Sequence, residues 1–295
     1  MTRRAVVKGV GHYLPDRIVP NSEFEKTLET TDEWIKARSG IERRHFAAPD
    51  QGTSDLAAAA ALDALKMADI AANDIDAIIV ATSTADSTFP SAATMVQHKI
   101  GNTKGFAFDI QAVCAGFIFA LTNANALILS GQAERVLVIG AETFSRIMDW
   151  DDRATCVLFG DGAGALVLEA AEGNGTNADR GILATDLNSD GSYRDLLYVD
   201  GGVATQNTGV LKMQGKEVFR HAVEKLAQTA DTALEKVELS ADDVDWVVPH
   251  QANIRIIQST AKKLGVGMDR VIVTVQDHGN TSAASIPLAL SVGVA

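Results

Sequence analysis

The sequence predicts an α/β fold built from two duplicated halves, the second of them truncated. Three observations predict it: short β-branched runs alternate with helical stretches, one order of elements occurs twice at a fixed offset, and the second copy stops early. Residues 1–11 carry Arg3 and Arg4 beside too short an apolar stretch for a signal peptide, and read as the first strand. Buried strands are predicted over 77–81, 135–140, 165–168, 245–248 and 271–275, and helices over 54–68, 91–100, 116–130 and 216–236. Such alternation argues for layers with mostly parallel strand pairing. The stretch 172–180 is rich in Gly and Asn and is the predicted connection, giving halves 1–172 and 173–295.

The repeat is visible in Asp74-Ile75-Asp76-Ala77-Ile78-Ile79-Val80 and Asp243-Val244-Asp245-Trp246-Val247-Val248-Pro249, which lie 169 residues apart (Asp74 to Asp243). A helix follows each, ending at Ile100-Gly101 and at Leu264-Gly265. A strand comes next, then a turn with unusual polar residues: Cys114 in the first half, His278-Gly279-Asn280 in the second. Counterparts of the strands at 135–140 and 165–168 would begin at about residue 304. The sequence ends at Ala295, so the second half is expected to be incomplete, unstable or poorly active as it stands.

Hydrophobic residues make up 46% of the 295 and charged residues 22%, as in ordinary globular proteins. The longest apolar stretch, 117–129, is broken by Thr122, Asn123 and Asn125, which argues against membrane insertion. A net charge of −12 argues against non-specific nucleic-acid binding. Two cysteines fit a reducing cytoplasm and form no disulfide framework, and no zinc-ligand spacing appears. Gly160-Asp161-Gly162-Ala163-Gly164 looks like a dinucleotide loop, but a strand follows it instead of a helix. Asp186-Leu187-Asn188-Ser189-Asp190-Gly191 begins like an EF-hand, yet its twelfth position is Leu197 where a glutamate is required.

The chemistry is expected at Cys114, between a predicted strand and an apolar helix, where the helix N-terminus favours the thiolate. A lone cysteine is more often an inert buried residue, which is the reading given to Cys156. His250 closes a predicted strand in Val248-Pro249-His250-Gln251-Ala252-Asn253, and Asn280 lies in His278-Gly279-Asn280-Thr281-Ser282. Alone, the histidine could be a satisfied core residue and the asparagine a turn residue. Their joint occurrence at equivalent strand ends is what points to a site.

Those three stretches resemble the active-site motifs of β-ketoacyl-acyl-carrier-protein synthase III, a thiolase-superfamily condensing enzyme. The resemblance also covers Thr31-Asp32-Glu33-Trp34-Ile35, Phe89-Pro90-Ser91-Ala92-Ala93 and Phe159-Gly160-Asp161-Gly162-Ala163-Gly164. It implies a five-layer αβαβα fold, a homodimer, and a cytoplasmic acyltransferase that initiates fatty-acid synthesis. No cofactor is implied; acyl-CoA and malonyl-acyl carrier protein are the substrates, with the carrier protein as partner. Cys114 would take the acyl group, and His250 and Asn280 would bind the thioester oxygen as malonyl loses carbon dioxide. Thr30, Trp34, Arg38 and Arg153 match positions that grip CoA, and Phe89 matches the residue that reaches into the partner's acyl pocket. Arg255, Lys262 and Lys263, seven to eight residues apart on a predicted helix, would share a basic face for the carrier protein or pantetheine phosphate. The alternatives are a related acyltransferase of secondary metabolism using a CoA-bound extender, a Cys-His-Asn hydrolase, and a non-catalytic scaffold.

Overall fold

A computed structural model describes residues 2–294. In chain order the elements are β1 (Thr2–Tyr13), β2 (Arg17–Pro20), α1 (Asp32–Ser39), β3 (Arg43–Phe46), α2 (Thr53–Ala68), β4 (Ala77–Ala81), α3 (Ala92–Lys99), β5 (Phe106–Ile110) and α4 (Gly116–Leu129). There follow β6 (Arg135–Thr143), β7 (Asp161–Gly173), β8 (Leu197–Val199), β9 (Leu211–Met213), α5 (Gly215–Glu235), α6 (Ile254–Leu264), α7 (Val275–His278) and α8 (Ser285–Val294). No helix among the described residues is long and apolar enough to cross a membrane.

The central sheet has the order β1-β7-β6-β4-β5. β4 lies parallel to β5 and β6, whereas β7 runs antiparallel to both β6 and β1. The pairing is therefore mixed and not mostly parallel as expected. The reason is local: β6 reaches β7 through residues 144–160 with no crossover α-helix, and a parallel return requires one. β7 also exceeds its predicted core of 165–168, because its ends pair with β1 and β6 where the sequence is more polar.

The Ala-rich α2 packs on one face of this sheet together with α3, burying Leu56, Ala60, Ala64 and Val96 against Ile78, Leu137 and Val167. The opposite face receives α4, with Phe117, Ala120 and Ile128, and the apolar side of α8, with Ile286 and Leu290. Two glycines make that approach possible. A Cβ at Gly140 would stand 2.2 Å from the Ala283 carbonyl oxygen, and one at Gly164 would stand 2.7 Å from the Leu288 nitrogen. The chain around 280–288 thus lies directly on β6 and β7, and the glycine run at 160–164 serves packing.

The second half departs from expectation. Segments 245–248 and 271–275 form no ladder and meet at the bridge Val247–Val271. Val247 N–H donates to Arg270 O at 2.9 Å and Ile272 N–H to Val247 O at 3.0 Å, after which Val275 opens α7. A lone parallel pair with no third strand beside it sustains little regular pairing. α5 and α6 pack together beyond this bridge, around Ala227, Ile257 and Ala261.

Candidate active site

Cys114 stands on a 3-10 turn, Val113–Ala115, between β5 and the first turn of α4. Val113 has φ +49°, a left-handed conformation that costs a β-branched residue about 1–3 kcal/mol and persists only where its surroundings impose it. The expectation of an acidic thiol at a helix start is reversed. Burial pushes the Cys114 thiol up to about 11, with the nearby Glu142 carboxylate adding to the shift and the Ser282 hydroxyl opposing it. Loss of water around a thiolate outweighs what the helix terminus returns. Cys156 is also pushed up to about 11, mainly by burial, and is fully enclosed, whereas Cys114 is partly open. The two thiols differ in access, not in acidity.

His250 sits in the loop before α6. Its Nδ1 lies 2.6 Å from Ser285 Oγ, which also accepts the Gln251 N–H at 3.3 Å. The hydroxyl can accept that N–H and donate its own proton to Nδ1, and in that arrangement the ring proton sits on Nε2. Burial pushes the ring down to about 4, so at neutral pH it is uncharged. The loop is pinned by the Gln251 side chain, which accepts from Thr274 N–H and Val275 N–H and donates to the Pro249 and Ile272 carbonyls.

Asn280 follows Gly279, whose φ of +66° turns the chain after α7. Its backbone N–H donates to Leu158 O at 2.8 Å and its carbonyl accepts Gly160 N–H at 3.0 Å, stitching the turn to the start of β7. Its Oδ1 accepts the Ser282 N–H at 2.9 Å. A backbone N–H only donates, so the amide is oriented with Nδ2 as its outward donor. The segment 280–285 is where the three predicted residues meet. It contains Asn280, its Ser282–Ala284 turn packs against the turn that carries Cys114, and its Ser285 contacts His250. Two neutral N–H donors on or held by the segment that packs against the Cys114 turn suit the stabilisation of a developing oxyanion.

A family model described as 3-Oxoacyl-[acyl-carrier-protein (ACP)] synthase III matches residues 108–191, and its C-terminal counterpart matches 234–295. A β-ketoacyl-[acyl-carrier-protein] synthase III of Roseobacter denitrificans is 79% identical over 293 residues, covering 99% of this chain and 91% of that protein. The chain belongs to the β-ketoacyl-[acyl-carrier-protein] synthase III family. Membership makes it a condensing acyltransferase. The synthase III of Ruegeria pomeroyi is 77% identical, covering 100% of this chain and 91% of that one. Among solved structures, the 3-oxoacyl-[acyl-carrier-protein] synthase III of Aquifex aeolicus superposes with a TM-score of 0.92 at 42% identity, covering 98% of this chain and 90% of that one. The priming β-ketosynthase of the R1128 polyketide pathway gives 0.90 at 35% identity, covering 99% and 88%. The α/β architecture is the thiolase-type fold of the synthase III family.

The remaining residues suggested by the synthase III resemblance fall in three places. Trp34 lies between two guanidinium groups, with Arg38 at 4.8 Å and Arg153 at 5.4 Å from its ring centroid. Arg153 also donates to the Glu29 carbonyl, next to Thr30, whose buried hydroxyl has no partner. These four residues form one surface. Phe89 is 83% exposed and takes no part in this chain's own core. Arg255, Lys262 and Lys263 are exposed on α6, but they do not share one face. Arg255 lies over the Phe219 ring at 5.7 Å, while Lys263 faces a groove lined by Glu224, Asp231 and Glu235 of α5. Eight residues at 3.6 per turn rotate Lys263 about 80° away from Arg255.

Four residues of the site escaped sequence reasoning: Glu142, Ser282, Ser285 and Thr84. The serines and the threonine are of common type in ordinary positions and give no signal. Glu142 does give one, as a carboxylate ending the apolar run 136–141 within β6, and it is fully buried. Burial pushes it up to about 7, against hydrogen bonds from Thr84, Ser83, Ser282 and Thr82.

Proposed function

We propose that this synthase III family member joins an acyl-CoA starter to malonyl-acyl carrier protein in a decarboxylating Claisen condensation that initiates fatty-acid synthesis. The observation that carries the reading is the pair of neutral donors, His250 Nε2–H set by Ser285 and Asn280 Nδ2–H set by Ser282. Cys114 sulfur attacks the acyl-CoA thioester, the C–S bond to CoA breaks, and the departing CoA sulfur gains the proton that the thiol loses. The CoA moiety is held by Trp34, Arg38, Arg153 and Thr30, with Arg153 supplying charge to a phosphate. Malonyl-acyl carrier protein then binds, its carboxylate leaves as carbon dioxide, and the bonding electrons pass into an enolate on the thioester oxygen. His250 and Asn280 donate to that oxygen. A carboxylate there would repel it, and a histidine already protonated on Nε2 is a donor and not a base. The enolate carbon attacks the acyl-Cys114 carbonyl, releasing the cysteine and forming the β-ketoacyl product. No cofactor enters these steps.

The same reading assigns two halves, 1–172 with the nucleophile and 173–295 with the donor pair, in a five-layer αβαβα arrangement. It assigns a cytoplasmic homodimer in which Phe89 enters the partner's acyl pocket, in keeping with its exposure. Arg255 and Lys262 meet the carrier protein or its phosphopantetheine, and Lys263 contributes from the neighbouring face. The test compares malonyl-acyl carrier protein with malonyl-CoA as extender, after mass measurement of the acyl adduct on Cys114. Product from the carrier-bound extender supports the reading; product from malonyl-CoA alone assigns the chain to the secondary-metabolic alternative.

A further inference from the structure

We propose that Glu142 is a positioning residue for decarboxylation, holding Ser282 and, through it, the Asn280 amide. The inference rests on the reaction proposed above. Glu142 Oε2 accepts from Thr82 Oγ1 at 3.3 Å, Ser83 N–H at 3.1 Å and Thr84 Oγ1 at 2.6 Å. These three donors follow β4 and fix the carboxylate in the first half of the chain. Thr84 is itself held from behind, accepting the Thr143 N–H at 2.8 Å. The other oxygen, Oε1, accepts the Ser282 hydroxyl at 3.1 Å across a sequence separation of 140 residues. One carboxylate therefore ties the strand ends of the first half to the turn that carries Asn280.

What the tether holds is specific. Ser282 has φ +49°, a conformation a serine keeps only when its neighbours impose it. In that conformation its N–H reaches Asn280 Oδ1, the bond that turns Nδ2 outward. With the tether cut, Ser282 is free to relax, its N–H leaves Oδ1, and the amide is free to rotate. A rotated amide presents oxygen to an enolate oxygen, a repulsive contact in place of a donor. The groups facing the carboxylate are Thr82, Ser83 and Thr84 beyond β4, Ser282 from the turn, and Cys114 from the entrance of α4. Among these, Cys114 is titratable, and the carboxylate opposes its ionisation.

The experiment uses Glu142→Gln, Ser282→Ala and the double variant in the full chain. It reads carbon dioxide release from malonyl-acyl carrier protein, acyl transfer from acetyl-CoA, and the pH dependence of iodoacetamide alkylation at Cys114. Each single variant is expected to lower carbon dioxide release by at least about tenfold while KM for acetyl-CoA stays within about twofold. The double variant is expected to lose no more than Glu142→Gln, since both break one link. Alkylation separates positioning from general loosening. Glu142→Gln removes a negative charge and shifts its midpoint to lower pH, whereas Ser282→Ala keeps that charge and leaves the midpoint in place. Carbon dioxide release within twofold of wild type in both variants, or the same alkylation shift in both, overturns the inference. If Glu142→Gln does not fold, Ser282→Ala, which removes one hydroxyl, decides alone. A wild type that alkylates normally but releases no carbon dioxide counts against the proposed reaction, and the difference in alkylation between the two variants still decides the link.

Discussion

A single hydroxyl decides which nitrogen of His250 carries its proton. Ser285→Ala removes the partner of Nδ1, so the ring is free to exchange tautomers and the Gln251 N–H loses its acceptor. Carbon dioxide release should fall by about tenfold or more while acyl transfer to Cys114 survives, as single-turnover measurement of the two half-reactions would show. Cys114 is pushed up to about 11, so its alkylation rate should keep climbing well above neutral pH, yet it should outpace the enclosed Cys156 throughout. Peptide mapping that finds Cys156 labelled first would contradict this. At the CoA surface, Trp34→Ala and Arg153→Ala should impair acyl-CoA far more than a short acyl-pantetheine. A charge-assisted phosphate contact is worth about 1.5–3 kcal/mol, enough to raise KM clearly, and equal losses on both substrates would remove the pair from that surface. Cys114, His250 and Asn280 stood out in the sequence by their joint occurrence at equivalent predicted strand ends, not singly. Ser282 and Ser285 did not, since a serine declares a role only once its partners are in place.

At the scale of elements, the site exists because the 280–285 segment lies against β6 without a side chain between them. Gly140→Ala would place a Cβ 2.2 Å from the Ala283 carbonyl, a backbone atom that has no rotamer by which to move aside. The expected outcome is a loss of about 1–3 kcal/mol in thermal or denaturant unfolding, with a larger proportional loss of carbon dioxide release than of acyl transfer. Unchanged stability would mean that the turn is not held as closely as the structure has it. β4 was readable to the residue from its unbroken apolar run, since a strand buried on both faces needs no alternation. The antiparallel course of β7 was not readable, because strand direction depends on the connection and on β1, not on the strand's own composition. The segments at 245–248 and 271–275 have strand-like composition but, among the described residues, only one another to pair with. Their ladder is a matter of neighbours, which no local pattern encodes.

Across the whole molecule, buried titratable groups set opposing pH dependences. His250 and His278 are held down to about 4, mainly by burial, so between pH 4 and 6.5 the unfolded chain binds more protons at these rings. Their contribution is therefore complete above 6.5 and is lost as pH falls toward 4. Glu142, held up to about 7, binds more protons when folded between 4.5 and 7, so it lowers stability as pH rises through that window. Asp109 and Asp161, also raised by burial, act in the same sense as Glu142. The test is therefore the difference between chains: from pH 4 to 6.5 the melting temperature should rise more steeply in the wild type than in His278→Gln, and equal slopes would show that this ring is not held neutral. The sequence repeats one predicted order of elements, while the bonds that join the two stretches, Glu142 to Ser282 and Gly160 to Asn280, are invisible until the chain is folded. The central claim is that His250 and Asn280 act on the malonyl enolate as neutral donors and do not activate Cys114. The most direct measurement follows both half-reactions in His250→Ala and Asn280→Ala, reading the acyl adduct on Cys114 by mass and carbon dioxide release from malonyl-acyl carrier protein. The account predicts that the adduct still forms while carbon dioxide release stops; loss of both together in His250→Ala would contradict it and make His250 the base that activates the thiol.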